Sequence, residues 1–223
     1  MKRMFPMILL FALLLCVPVR ADELTLDAPS ALLMEKQTGT VLFAKDEHTP
    51  REPASVTKVM TLLLTMEAID SGALSYDDTV TGSAHAASMG GSQIWLKEGE
   101  QMTVDDLIKA CVVMSANDAA VVLAEAVAGS EDAFVERMNA RAAELGCTGT
   151  NFTCAHGLFD YGNVSTAEDM ARIAAECYKN PTFVQVSGTA AYTMPATNLH
   201  QNERTINSTN PLTDTGSEFY RSY

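Results

Sequence analysis

A serine and a lysine three residues apart, Ser55 and Lys58, open a long apolar stretch in Pro53-Ala54-Ser55-Val56-Thr57-Lys58-Val59-Met60. Positions i and i+3 share a helical face, so the Lys58 amine can reach the Ser55 hydroxyl. A serine hydroxyl is a weak nucleophile near neutral pH and needs a neighbouring base. Lysine serves as that base only when its pKa drops from about 10.4 toward 7–8, a change worth about 4 kcal/mol. Burial and the positive end of a helix both push that way. The plainer reading makes Ser55 a helix cap and Lys58 a solvated first-turn residue. The residues that follow argue against it. Val56, Val59, Met60, Leu62, Leu63, Leu64, Met66 and Ile69 cover nearly every side of the segment, and a helix apolar all round is a buried one. A lysine in its first turn sits where charge is costly, a position typical of functional sites.

A second constellation lies in Val113-Met114-Ser115-Ala116-Asn117-Asp118, at the break between two helical patterns. Ser115 and Asn117, two apart in such a turn, can both face one cleft. The serine can pass a proton, and the asparagine amide can both donate to and accept from a substrate amide. Taken alone, the segment also reads as a plain helix junction with Asn117 as N-cap. Ser208-Thr209-Asn210 has the same pattern in a polar, turn-rich stretch and reads as a decoy. Asp214-Thr215-Gly216 matches an aspartic-protease tripeptide without the flanking apolar strands. His48, His85, His156 and His200 are scattered, and no Cys/His spacing suits a metal, so neither metal nor cofactor is expected.

The elements that must position these groups follow from the pattern. Residues 31–35 and 40–44 are short apolar runs around Lys36-Gln37-Thr38-Gly39, a β-hairpin with Gly39 at positive φ. The buried helix spans about 55–70 and stops at Ser71-Gly72. Residues 73–102 read mostly as loop, with a short extended piece at Ser92–Leu96. Thr103 starts a helix with Asp106 as its capping partner, running to about Met114. Helices at 117–128 and 131–145 follow, closed by Gly129 and Gly146. A further helix is capped by Ser165 with Glu168 and ends at Asn180-Pro181. Phe183 to Met194 alternates loosely and holds a strand at most. The middle of the chain is thus a helical lobe.

Bulk properties narrow the setting. The chain has 223 residues, 47% of them hydrophobic, and a net charge of −13. That length allows one or two domains with a sizeable core, and that charge argues against nucleic acid as a partner. Residues 1–21 read as an export signal: basic Lys2 and Arg3, an apolar run from Phe5 to Val17, and Val19-Arg20-Ala21 before a cleavage at Asp22. Removing Lys2, Arg3 and Arg20 would take the charge from −13 to −16. Export brings an oxidising compartment, where Cys147 and Cys154, seven apart, could close a small ring worth about 2.5 kcal/mol. Cys111 and Cys177 lie in apolar helical patterns and read as buried thiols.

Together, Ser55-x-x-Lys58 and Ser115-x-Asn117, fifty-seven residues after Lys58 and behind an export signal, resemble the penicillin-recognising serine enzymes. The likeness is strongest to low-molecular-weight penicillin-binding proteins, the D-alanyl-D-alanine carboxypeptidases of peptidase family S11. It is spread over about 28–180 and includes Gly91-Ser92, Leu96-Lys97-Glu98-Gly99-Glu100, His156-Gly157-Leu158 and Ser165-Thr166-Ala167-Glu168-Asp169-Met170-Ala171. The resemblance implies an α/β fold like that of β-lactamases and DD-peptidases, with a helical lobe packed on an antiparallel sheet. It implies a hydrolase that removes the terminal D-alanine of the peptidoglycan stem peptide, outside the cytoplasm, and that β-lactams acylate. Ser55 would form the acyl-enzyme, Lys58 would take its proton, Ser115 would relay that proton, and Asn117 would bind the substrate amide. The Ser55 N–H would be half of an oxyanion hole, where one donor is worth roughly 3 kcal/mol.

One motif of that family is missing. No Lys-Thr-Gly occurs in the chain; in the family it lies on a strand lining the cleft. The expectation is that residues 22–223 form a partial catalytic domain whose last strands follow Tyr223. By itself such a piece would expose an apolar sheet face and be inactive. Any membrane association would then depend on a C-terminal segment beyond it. Two rivals share the motifs. A class A β-lactamase would need a deacylating glutamate where this chain reads Thr150-Asn151-Phe152-Thr153-Cys154, and a peptidoglycan-binding module would lack acylation.

Overall fold

A computed structural model describes residues 25–158, 161–213 and 216. The segment 1–21 read above as an export signal, Asp214-Thr215 and the segment 217–223 lie outside the described residues.

The first hairpin forms as its pattern requires. Strand β1 (Ala31–Met34) pairs antiparallel with β2 (Val41–Lys45), in a register that runs from Ala31 opposite Lys45 to Met34 opposite Val41. At its tip the Glu35 carboxylate accepts from the backbone N–H groups of Gln37 and Thr38 and from the Thr38 hydroxyl. Gly39 takes a φ of +70°. Leu33, Val41 and Leu42 are exposed, an apolar surface of the kind that normally meets another element.

Helix α1 (Lys58–Asp70) is preceded by a 3-10 turn at Ala54–Thr57. Met60, Thr61, Leu62, Leu63, Thr65 and Met66 are all buried. The two threonines are accommodated because each hydroxyl donates to a backbone carbonyl, Thr61 to Ala155 at 2.6 Å and Thr65 to Thr61 at 2.8 Å.

The stretch 73–102, expected as loop, holds more order. Strand β3 (Thr79–Thr81) pairs with β4 (Gln101–Thr103), and a short helix α2 (Ala84–Ala87) lies between them, capped by Ser83. Three-residue strands separated by some twenty residues leave almost no periodicity to read. The expected extended piece Ser92–Leu96 is not a strand. Its N–H groups at Ile94 and Leu96 bond instead to the Asp118 carboxylate, at 3.0–3.2 Å.

Helices α3 (Val104–Val113), α4 (Asn117–Ala128) and α5 (Glu131–Glu144) fall where capping signals put them. Thr103 and Ser130 accept from the N–H three residues on, and Gly129 takes a φ of +86°. Helix α4 is the hub. It packs against α1, α2, α3 and α5, and Ala119, Ala120, Val121, Leu123 and Ala124 are fully buried. Small residues there let neighbouring helices approach closely.

Helix α6 (Ala167–Cys177) packs on α1. Its cap is Thr166, which accepts from the Asp169 N–H, rather than Ser165 with Glu168. Ser165 is otherwise engaged: its backbone bridges Arg51, and its hydroxyl bonds Thr150 at 2.8 Å. Glu168 pairs with Arg172 and His48. Asn180-Pro181 ends one helical run and starts another. Asn180 caps helix α7 (Pro181–Ser187) with proline in its first turn. A last hairpin, β5 (Ala191–Met194) with β6 (Arg204–Asn207), packs beside α3. The strands form three two-stranded pairs among the described residues. The buried Glu100 carboxylate ties the last of them down, accepting from Arg204 Nη2 at 2.6 Å and the Thr197 hydroxyl at 2.9 Å.

Cys147 and Cys154 are not joined to each other. Cys147 Sγ faces the Asp169 carbonyl at 3.6 Å, whereas Cys154 Sγ accepts the Gly157 N–H at 3.2 Å. Cys111 and Cys177 are buried thiols.

Candidate active site

Ser55 and Lys58 meet at the turn that launches α1. The Lys58 ammonium donates to Ser55 Oγ at 3.1 Å and to the His156 carbonyl at 2.6 Å. Ser55 is exposed, whereas Lys58 is only 3% exposed. A nucleophile open to solvent therefore rests on a base sealed from it. Burial holds the Lys58 pKa below its ordinary 10.5, against the opposing influence of Cys111, Cys154 and Asp118. Burial also pushes the Cys111 thiol up to about 12. Cys111 is thus neutral near pH 7 and offers the lysine no charge, so desolvation wins.

The turn itself is held in an uncommon shape. Ala54 has a φ of +47°, in the left-handed region. Gly157, at φ +74°, packs so tightly against it that a Cβ would lie 1.8 Å from the Ala54 carbonyl oxygen. The next anchor is Thr57, fully buried, whose hydroxyl accepts from Asn163 Nδ2 at 3.0 Å. Asn163 Oδ1 in turn faces the Thr153 N–H at 3.3 Å. The 154–157 turn and Asn163 therefore brace the Ser55 backbone from outside its own helix.

The second constellation is built at the start of α4. Ala116 occupies the cap position without a side-chain bond, so Asn117 is not the cap. Its N–H donates to the Ser92 carbonyl at 2.7 Å, and its Nδ2 donates to the Gly90 carbonyl at 2.8 Å. Its Oδ1 is buried and has no hydrogen-bond partner among the described residues. An orphaned acceptor of this kind costs free energy unless something fills it. Gly91, at φ +72°, permits the close approach, since a Cβ there would sit 2.9 Å from Asn117 Nδ2. Ser115 is half-buried in the turn at φ +58°. Among the described residues its hydroxyl makes no hydrogen bond to Ser55 or Lys58, so the relay expected of it is not joined by a direct bond to the pair. Catalytic contacts commonly tighten only when substrate arrives.

Asp118, one residue on and buried, clamps the 90–96 segment through Ile94 and Leu96 and also accepts from its neighbour Ala119. Burial raises its carboxyl pKa above the ordinary 3.8, opposed by those same N–H groups. Between the two clamped residues Trp95 adopts a φ of +55° and stands 65% exposed. A cleft between the β1–β2 tip and α6, lined by Lys36, Glu168, Arg172 and Tyr178, includes none of the four candidate residues. Among the described residues no cluster of three His, Cys, Asp or Glu groups is placed to hold a metal, and no helix is long and apolar enough to cross a membrane.

Gly157, Asn163, Asp118 and the His156 carbonyl were not picked out by the chemistry of single residues. Asp118 adjoins a motif, and His156-Gly157 entered only through the resemblance. Nothing local marks Asn163.

Residues 18–218 match the family described as D-alanyl-D-alanine carboxypeptidase, and the chain belongs to that family. It is 47% identical over 170 residues to the D-alanyl-D-alanine carboxypeptidase DacF of Bacillus subtilis, covering 76% of this chain and 44% of that one. The fold is similar to that of penicillin binding protein 6B from Escherichia coli, with a TM-score of 0.80 and 35% identity over 89% of this chain and 63% of the other. It is also similar to a peptidoglycan synthesis regulatory factor (PBP3) from Streptococcus pneumoniae, with a TM-score of 0.77, 30% identity, and 89% and 58% coverage. The chain spans about half the length of the curated relatives it matches, 40–47% in three of them.

Proposed function

We propose that this chain carries the acylating centre of a serine-type D-Ala-D-Ala carboxypeptidase acting on peptidoglycan stem peptides on the extracytoplasmic side. The reading rests chiefly on one observation, the 3.1 Å hydrogen bond from a nine-tenths buried Lys58 amine to an exposed Ser55 hydroxyl. In its neutral form Lys58 takes the Ser55 proton as Oγ attacks the carbonyl of the penultimate D-alanine. The tetrahedral oxyanion is met by the Ser55 N–H, at the start of the turn. The proton passes through Ser115 to the departing amine of the terminal D-alanine, and the acyl-enzyme forms as that bond breaks. Water then attacks the ester and regenerates Ser55. The orphaned Asn117 Oδ1 is an acceptor suited to a substrate amide N–H. β-Lactams enter the same path and stop at the acyl-enzyme.

The test is covalent labelling of the native full-length protein by fluorescent penicillin, together with D-alanine release from a D-Ala-D-Ala peptide. Both are expected, and both should vanish in Ser55→Ala. Absence of labelling in the wild type, or labelling that survives in Ser55→Ala, would refute the reading and favour a binding module.

A further inference from the structure

The structure assigns a role to Glu131 that the two motifs do not contain. We infer that it is a positioning residue for the Ser55–Lys58 pair, an inference that rests on the function proposed above.

Glu131 is the first residue of α5, where a carboxylate complements the helix dipole. Its side chain is 12% exposed and ties three segments together. Oε2 faces His85 Nε2 of α2 at 2.6 Å. Oε1 accepts the Ala155 N–H at 2.8 Å and lies 3.6 Å from His156 Nε2. On the other side of that ring, Nδ1 accepts the Leu158 N–H at 3.0 Å. A nitrogen that accepts carries no proton, so neutral His156 bears its proton on Nε2, directed at Glu131.

The segment so fixed is the one that frames the nucleophile. It supplies the His156 carbonyl to Lys58 Nζ, the Ala155 carbonyl to Thr61 of α1, and the Gly157 contact to Ala54. Glu131 touches neither Ser55 nor Lys58, so it acts through this turn. A carbonyl bonded to an ammonium favours the charged form. If the turn drifts, Lys58 loses that acceptor and its pKa falls further. The other groups that bear on Lys58 are Cys111 of α3, Asp118 of α4, Cys154 of the same turn and Ser55.

The experiment compares the native protein with Glu131→Asp and Glu131→Gln. Aspartate keeps the charge but withdraws the oxygens, whereas glutamine keeps an acceptor at the same reach. Lys58 is titrated by NMR in protein labelled with 13C/15N-lysine, and acylation by fluorescent penicillin is timed across pH. In Glu131→Asp the Lys58 titration should move to lower pH, and acylation should slow on the order of a hundredfold, as misplacement of about 1 Å does. Glu131→Gln should restore the wild-type titration. A variant that only loosens the fold would lower the melting temperature and leave the titration of the folded protein in place. Identical Lys58 titrations in wild type and Glu131→Asp overturn the inference. Failure of the wild type to acylate would sink the enzymatic reading separately, while the titration still decides the role of Glu131.

Discussion

Replacing Gly157 with alanine tests the frame around the nucleophile directly. The added Cβ would fall 1.8 Å from the Ala54 oxygen, 2.5 Å from its carbon and 2.8 Å from Thr57 Oγ1. A relaxed carbon–oxygen contact is about 3.3 Å, so the two turns must separate by roughly 1.5 Å. Those obstacles are mainly backbone, which cannot swing aside as a flexible side chain could. The positive φ adds about 1–2 kcal/mol for a residue with a Cβ, and overpacking adds about 1–3 kcal/mol. The total, about 2–5 kcal/mol, lowers the melting temperature by roughly 4–20 °C in a domain of this size. The catalytic effect should exceed the thermal one, because a shift of about 1 Å at the nucleophile costs on the order of a hundredfold in rate. Gly72→Ala is the control: its φ is +76°, but nothing lies within 4 Å of the new Cβ. It should lose only the backbone part of the stability and acylate normally. Wild-type acylation by Gly157→Ala, with the fold intact, would refute the idea that this contact sets the nucleophile.

Three further outcomes are expected. Because burial lowers the Lys58 pKa, the neutral amine accumulates below its ordinary 10.5, and acylation should rise with pH through that lowered value. Between the lowered value and 10.5 the unfolded chain binds more protons than the folded one, so stability also rises with pH there; a flat rate profile under saturating label would count against Lys58 as the base. Asp118→Asn removes a charge that supports protonated Lys58 and leaves one of the N–H groups of Ile94, Leu96 or Ala119 unpaired. It should cost about 1–3 kcal/mol in denaturant unfolding and move the acylation profile to lower pH. Glu100→Ala strips the partner from Arg204 in a buried pair and should cost roughly 3–5 kcal/mol, read from urea melts, with acylation in the folded protein retained.

The parts of the site that could be read from the chain are those carried by neighbours in sequence. Ser55 and Lys58 are three apart, and their meeting survives even though a 3-10 turn, not the helix itself, bears the serine. Capping residues fixed α3 and α5 because Thr103 and Ser130 act on N–H groups within their own turn. Where a residue has two suitors, local rules fail. Ser165 looked like a cap, but Arg51 and Thr150 claim it, and Thr166 caps instead. The 3.0 Å bond from Asn163 to Thr57 spans 106 positions, and the Gly157 contact spans about as many. Such distant pairs leave no periodicity, so the bracing of the nucleophile had no signature beyond the family likeness. Asn117 shows the intermediate case. Its type and spacing suggest a polar cleft residue, but it takes the structure, with Ala116 at the cap position and Asn117 bonded to Ser92 and Gly90, to exclude the capping role.

The clamp on Ile94 and Leu96 has an optical consequence. Trp95 is the sole tryptophan of the chain, and it is turned outward between two residues fastened to Asp118, next to the asparagine whose amide oxygen lies unused. Within this chain the indole is therefore a single reporter: excited at the red edge, where the six tyrosines do not absorb, its emission colour and quenching by iodide follow this loop with no dye to attach.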